Sequence, residues 1–106
     1  MHVTVTRTKG TPGQPLEVAT IAGEEMLSWL RQIEGFEGLL MLSNEDEGTT
    51  LVLSIWTDRE VAERHRVSRA RFREKVTAAV DVTVEDTTDY EVTFAHLGPR
   101  LTGPQA

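Results

Sequence analysis

Two kinds of side chain in this sequence could do chemistry on a flat organic molecule, and their spacing sets them close together. His65 falls on the helical stripe Val61, His65, Ser68, Phe72, Val76 and Ala79. A neutral imidazole, with an ordinary pKa of about 6.5, can take a proton from an acidic phenol. Such a base typically contributes about 10²–10⁴-fold to rate. The competing reading is a histidine hydrogen-bonded in the core or at a pocket rim. Trp56 closes an apolar segment and could wall a flat ring by offset stacking, or fill the gap where strand meets helix. Met26, Trp29 and Phe72 could line the same cavity from the helices, although helical stripes of this kind ordinarily form core. Phe36 reads as a packing plug.

Other chemistries are excluded or disfavoured. The chain has 0 cysteines, so it offers no thiol nucleophile, disulfide or cysteine zinc site. His2 and His96 lie near strand ends, and no spacing joins either to His65 and a carboxylate, so no metal site is expected. The net charge of −6 disfavours nucleic acid as a partner. Basic residues nevertheless concentrate in one stretch: Arg59, Arg64, Arg66, Arg69, Arg71, Arg73 and Lys75. That reads as a solvated helix face with i,i+4 ion pairs, Glu60–Arg64 among them. The sharper alternative is an anionic ligand or an acidic partner. No apolar run reaches the roughly 18 residues of a membrane span, and the N-terminus lacks a signal-peptide core. A cytoplasmic protein without a membrane partner is expected.

The elements that must position these residues can be read in order. Residues 2–8 alternate, with Val3 and Val5 opposite Thr4 and Thr6, a strand pattern. Lys9 to Pro15 is a loop rich in glycine and proline. Leu16 to Ile33 carries Ala19, Ala22, Met26, Trp29 and Ile33 at helical spacing; Gly23 could break it, and Gly35 ends it. Residues 37–45 and 50–57 are two strands joined by a turn at Asp46, Glu47 and Gly48. Their apolar runs, Leu39 to Leu42 and Leu51 to Leu53, predict burial on both faces. Asp58 is an N-cap for the second helix. The acidic, threonine-rich segment 81–89 shows no period, and a last strand is expected over 90–97, with Tyr90, Val92, Phe94 and His96 on one face.

Strand, helix, strand, strand, helix, strand is the ferredoxin-like split βαβ order, an α+β fold with a four-stranded antiparallel sheet and both helices on one face. The other face would then be bare and apolar, which favours a homodimer packed sheet against sheet. One domain over 1–97 is expected, followed by a tail at 98–106 that is flexible or touches the partner.

Three local patterns then line up. They are Gly35-Phe36-Glu37-Gly38, Trp56 followed by Thr57-Asp58-Arg59-Glu60-Val61-Ala62, and His65 nine residues after Trp56. In order and spacing the chain resembles the antibiotic-biosynthesis-monooxygenase superfamily of dimeric α+β barrels. The resemblance implies a ligand pocket between helices and sheet. It also implies a cofactor-independent oxygenase or oxidase acting on a phenol, quinol or anthrone-like molecule, with His65 as candidate catalytic base. Trp56, Trp29, Phe72 and Met26 would bind the substrate. The alternative is a non-catalytic ligand-binding or interaction module of the same fold. A haem-degrading variant is disfavoured, because Thr4 and Thr6 stand where that branch has a strand asparagine. The second helix also lacks tryptophan, and the axial position falls near Lys75.

Overall fold

The computed structural model describes residues 1–102. Its elements are β1 (His2–Lys9), α1 (Leu16–Leu30), β2 (Phe36–Asn44), β3 (Thr49–Trp56), α2 (Arg59–Arg64), α3 (Arg66–Ala79), β4 (Thr83–Glu91) and α4 (Pro99–Thr102). The strands form one antiparallel sheet in the order β2-β3-β1-β4. Helices α1, α2 and α3 cover one face, giving the expected ferredoxin-like arrangement.

The register sorts side chains by face. His2, Thr4, Thr6 and Thr8 of β1 pair with Trp56, Ser54, Val52 and Thr50 of β3. Thr4 and Thr6 accept hydrogen bonds from α3, so this is the helix side. Val3 and Val5 lie on the opposite face, with Leu51, Leu53 and Ile55 of β3 and Leu40 and Leu42 of β2. Strands β2 and β3 thus carry apolar side chains on both faces, as their unbroken runs predict. The first strand inverts simple expectation, because its threonines face the helices and its valines do not.

The core gathers Ala22, Met26 and Leu30 of α1 with Trp56, Ala62 and Val76. Helix α1 runs unbroken through Gly23. A Cβ at that position would meet Met41 Sδ at 2.8 Å, so glycine lets the helix lie close on β2. The β2–β3 turn closes with Gly48 N–H donating to Asn44 O at 2.9 Å. Gly48 has φ +72° and is hemmed by the backbone of Gly10, Thr11 and Pro12, so only glycine fits there.

Two expectations need correction. The second helix is two helices, not one. Asp58 caps α2 as expected, its Oδ1 accepting from Val61 N–H at 2.9 Å. The chain leaves helical geometry at His65 (φ −106°, ψ 14°), and α3 begins at Arg66 with the inward spacing Ala62, His65, Arg69, Phe72 and Val76 kept across the break. Phe72 and Val76 stay inward, but Ser68 and Ala79 are exposed, and Arg69 and Arg73 turn toward the sheet instead. The last strand also lies earlier than expected, at Thr83–Glu91 rather than 90–97. It pairs along the whole of β1, so the ladder sets its place. Beyond it, Val92 N–H donates to Met1 O at 2.9 Å, and Phe94 is 86% exposed. In the expected tail, Pro99–Thr102 makes one helical turn, and 103–106 lie outside the described residues.

Candidate functional site

Between α1, α3 and the sheet lie two adjoining cavities, of about 70 and 30 Å³. Thr6, Met26, Val52 and Arg73 line both. The larger opens among Leu16, Asn44 and Glu45, all exposed, at the end where α1 begins and the β2–β3 turn lies. The smaller, the inner cavity by its place farther along α1 and α3, lies against Trp29, Leu39, Ser54, Arg69 and Phe72 and is itself open to solvent. The shared floor is the hydroxyl-bearing face of β1 together with Val52.

Of the residues proposed from the sequence, Met26, Trp29 and Phe72 line the inner cavity. The Trp29 and Phe72 rings stack with centroids 4.7 Å apart and a 20° interplanar angle, one wall built from two helices. Trp56 is 0% exposed and lines neither cavity. Its Nε1 donates to Ser54 Oγ at 3.1 Å, and Phe36 meets its ring edge-on at 5.6 Å. His65 is half-buried at the break between α2 and α3 and lines neither cavity. It stands one turn before Arg69, whose N–H donates to His65 O at 2.9 Å. Lys75, at the position of an axial haem ligand, is exposed.

Arg69 and Arg73 are the site residues missed by reading periodicity alone. Arg69 is 8% exposed. Its Nη2 donates to Ala62 O at 2.6 Å, and its Nη1 to Thr4 Oγ1 at 3.3 Å. Ala62 sits in the last turn of α2, where the break deprives carbonyls of helical partners. The guanidinium lies 4.9 Å from the Trp56 ring centroid, a cation–π contact. Its Nε is buried with no hydrogen-bond partner. Arg73 Nη1 donates to Thr6 Oγ1 at 3.1 Å. Burial lowers the pKa of both guanidiniums, and the charge of Arg73 lowers that of Arg69 further. Both remain cations at neutral pH, since an arginine starts so high.

The remaining basic residues behave as a solvated face. Arg59 pairs with Glu63 at 3.0 Å, Arg64 with Glu60 at 3.2 Å, and Arg66 with both Glu63 and Asp89. Asp89 also accepts from Thr4 Oγ1 at 2.9 Å and lies 3.5 Å from the buried His2 Nε2, without hydrogen-bond geometry. His2 Nδ1 is 3.1 Å from Glu91 Oε1. Burial raises the Asp89 pKa, but the Thr4 hydroxyl, His2 and Arg66 outweigh it and hold the carboxyl below its usual range. Among the described residues, no group of three or more His, Asp or Glu side chains is placed to hold a metal ion, and no helix is long and apolar enough to cross a membrane.

Comparison with known proteins gives a consistent answer. No curated protein matches the chain. Solved structures do. A monooxygenase from the gene ActVA-Orf6 of Streptomyces coelicolor, in complex with the ligand nanaomycin D, superposes with a TM-score of 0.65 at 12% identity, over 92% of this chain and 91% of that one. SnoaB, a cofactor-independent oxygenase from Streptomyces nogalater, gives 0.64 at 15% identity, over 89% and 94%. Rv0793 from Mycobacterium tuberculosis gives 0.61 at 15% identity, over 90% and 98%. At such identities these likenesses speak for the fold. The sequence itself matches the family model for antibiotic biosynthesis monooxygenase over residues 1–81, from β1 past the end of α3. The chain therefore belongs to the antibiotic biosynthesis monooxygenase family.

Proposed function

We propose that this protein is a cofactor-independent oxygenase acting on an electron-rich aromatic molecule, such as a phenol, quinol or anthrone. The observation that carries the reading is the inner cavity. It is walled by the Trp29–Phe72 stack and Met26 and roofed by two cationic guanidiniums. An aromatic substrate held there loses a proton, and the nearby positive charge favours the anion. The anion gives an electron to O₂, and the radical pair combines. For an anthrone, one oxygen atom enters as the new carbonyl and the other leaves as water. His65, just outside the lining, is the candidate base for a substrate that extends beyond the inner cavity.

A panel of hydroquinones and anthrones, followed by oxygen uptake, tests this. Uptake above the protein-free rate is expected, with a roughly 10²-fold or larger loss in His65→Ala. Unchanged uptake in that variant removes His65 from the mechanism. No uptake with any substrate removes the oxygenase reading. One observation favours a second reading, an interaction module without turnover whose cavity is largely filled by side chains: each cavity is smaller than the roughly 150 Å³ that holds a benzene ring. Absence of both binding and oxygen uptake with the same compounds would support it.

We further propose that the working unit is a homodimer joined through the uncovered sheet face. Leu40 and Leu42 are 38% and 47% exposed on that face, beside Leu51, Leu53 and Ile55. Burying such surface yields about 25 cal/mol per Å² before association costs.

A further inference from the structure

We infer that the open groove formed by the two adjoining cavities recognises a carboxylate, so that its ligand is an aromatic acid whose acid group lies between Arg69 and Arg73 and whose ring lies along Trp29 and Phe72, extending from the small enclosed volume into the open mouth. This deepens the oxygenase reading by naming a substrate class, and it rests on that reading only for turnover.

Arg69 and Arg73 are one helical turn apart on α3 and both point at the sheet. Like charges at that spacing repel, and partial burial strengthens the repulsion. Buried arginines ordinarily find a carboxylate. Neither of these does: among the described residues, no Asp or Glu oxygen lies within 4.0 Å of either guanidinium. Asp89 and Glu74 are close enough to be felt, but Asp89 is already engaged by Thr4 and Arg66. The neighbours that the arginines do touch are hydroxyls, a carbonyl and an indole face, all neutral.

Hydrogen-bonding capacity points the same way. Each guanidinium has five N–H donors. Arg69 engages one N–H on each terminal nitrogen, with Thr4 and Ala62, and its side chain lines the inner cavity. Arg73 has one side-chain hydrogen bond, to Thr6, and lines both cavities. Both guanidiniums therefore keep further N–H donors, and a carboxylate is the group that answers a planar fork of N–H donors. The floor helps, since Thr6 Oγ1 can donate to an anion as well as accept from Arg73. The walls exclude other anions of similar charge. Phosphate or sulfate would leave Met26, Leu39, Val52 and the Trp29–Phe72 stack uncovered, whereas an aryl carboxylate covers them.

Calorimetric titration of the whole protein tests this with 1-hydroxy-2-naphthoate and its neutral carboxamide, which differ only in the acid. The acid is expected to bind at least tenfold more tightly, the scale of one charge-assisted hydrogen bond. Arg73→Gln should cut that preference to under threefold, and Arg73→Lys should keep part of it. Equal affinity for acid and amide, or no binding of the acid at millimolar concentration, overturns the inference, and neither outcome needs a variant to fold. The outcomes separate from those for turnover. Acid preference without oxygen uptake leaves the carboxylate site standing and removes the oxygenase. Uptake with neutral phenols and no acid preference does the reverse.

Discussion

Asp89 ties three elements together through its charge. It accepts from Thr4 of β1 and Arg66 of α3, and it lies beside His2. Its carboxyl titrates below the ordinary range in the folded chain. The sign of the pH effect follows. A depressed acid contributes stability above its unfolded pKa, about 3.9, and loses it as pH falls through the lower folded value. Asp89→Asn is expected to lower the melting temperature near neutral pH and to flatten its acid dependence. Thermal melts of both proteins across the acid range check this; parallel curves would remove Asp89 from the account. Such a role is hidden in the sequence, where Asp89 is one more acid in a run without period. Arg69 and Arg73 are hidden for a related reason. Arginine reads as solvated unless something marks it as buried. The available mark is the polar inward face of β1, where the Thr4 and Thr6 hydroxyls accept from Arg69 and Arg73.

At the scale of elements, legibility tracks burial. The helix at Leu16–Leu30, the hairpin and the Asp58 cap are read correctly, because apolar spacing and turn residues encode them locally. β4 is misplaced because every one of its residues is exposed, so no face is marked apolar. Its position comes from backbone pairing with β1, which composition does not display. The helix break at His65 is equally silent, having no glycine or proline to announce it. The candidate site follows the same division: Met26, Trp29 and Phe72 are legible, and the two inward arginines are not. One element also shapes the cavity mouth. Gly48 lines the larger cavity, and Gly10 N–H donates to its carbonyl at 2.7 Å. Gly48→Ala is expected to cost about 1–2 kcal/mol from the left-handed backbone alone, and more from the contact with Pro12 and Gly10. Urea denaturation measures the loss. Faster hydrogen exchange at Gly10 would show that the two loops had parted.

At the scale of the whole molecule, the sheet presents a covered face and an uncovered one. The sequence reading expects the uncovered face from the unbroken leucine runs, and the described residues place Leu40 and Leu42 there, open. Leu40→Asp combined with Leu42→Asp is expected to leave the monomer folded, because both sites are already exposed. Light scattering should then report 11.8 kDa for the variant and twice that for the unmodified chain. An unmodified chain of 11.8 kDa would end the dimer proposal.

The outer border of the sheet has its own consequence. β4 carries Glu85, Asp86, Asp89 and Glu91 along a strand that has β1 on one flank and no strand on the other. Unpaired backbone groups there would otherwise invite another chain to add on, but neighbouring carboxylates repel an acidic newcomer. Strand addition along this border is discouraged by its charge.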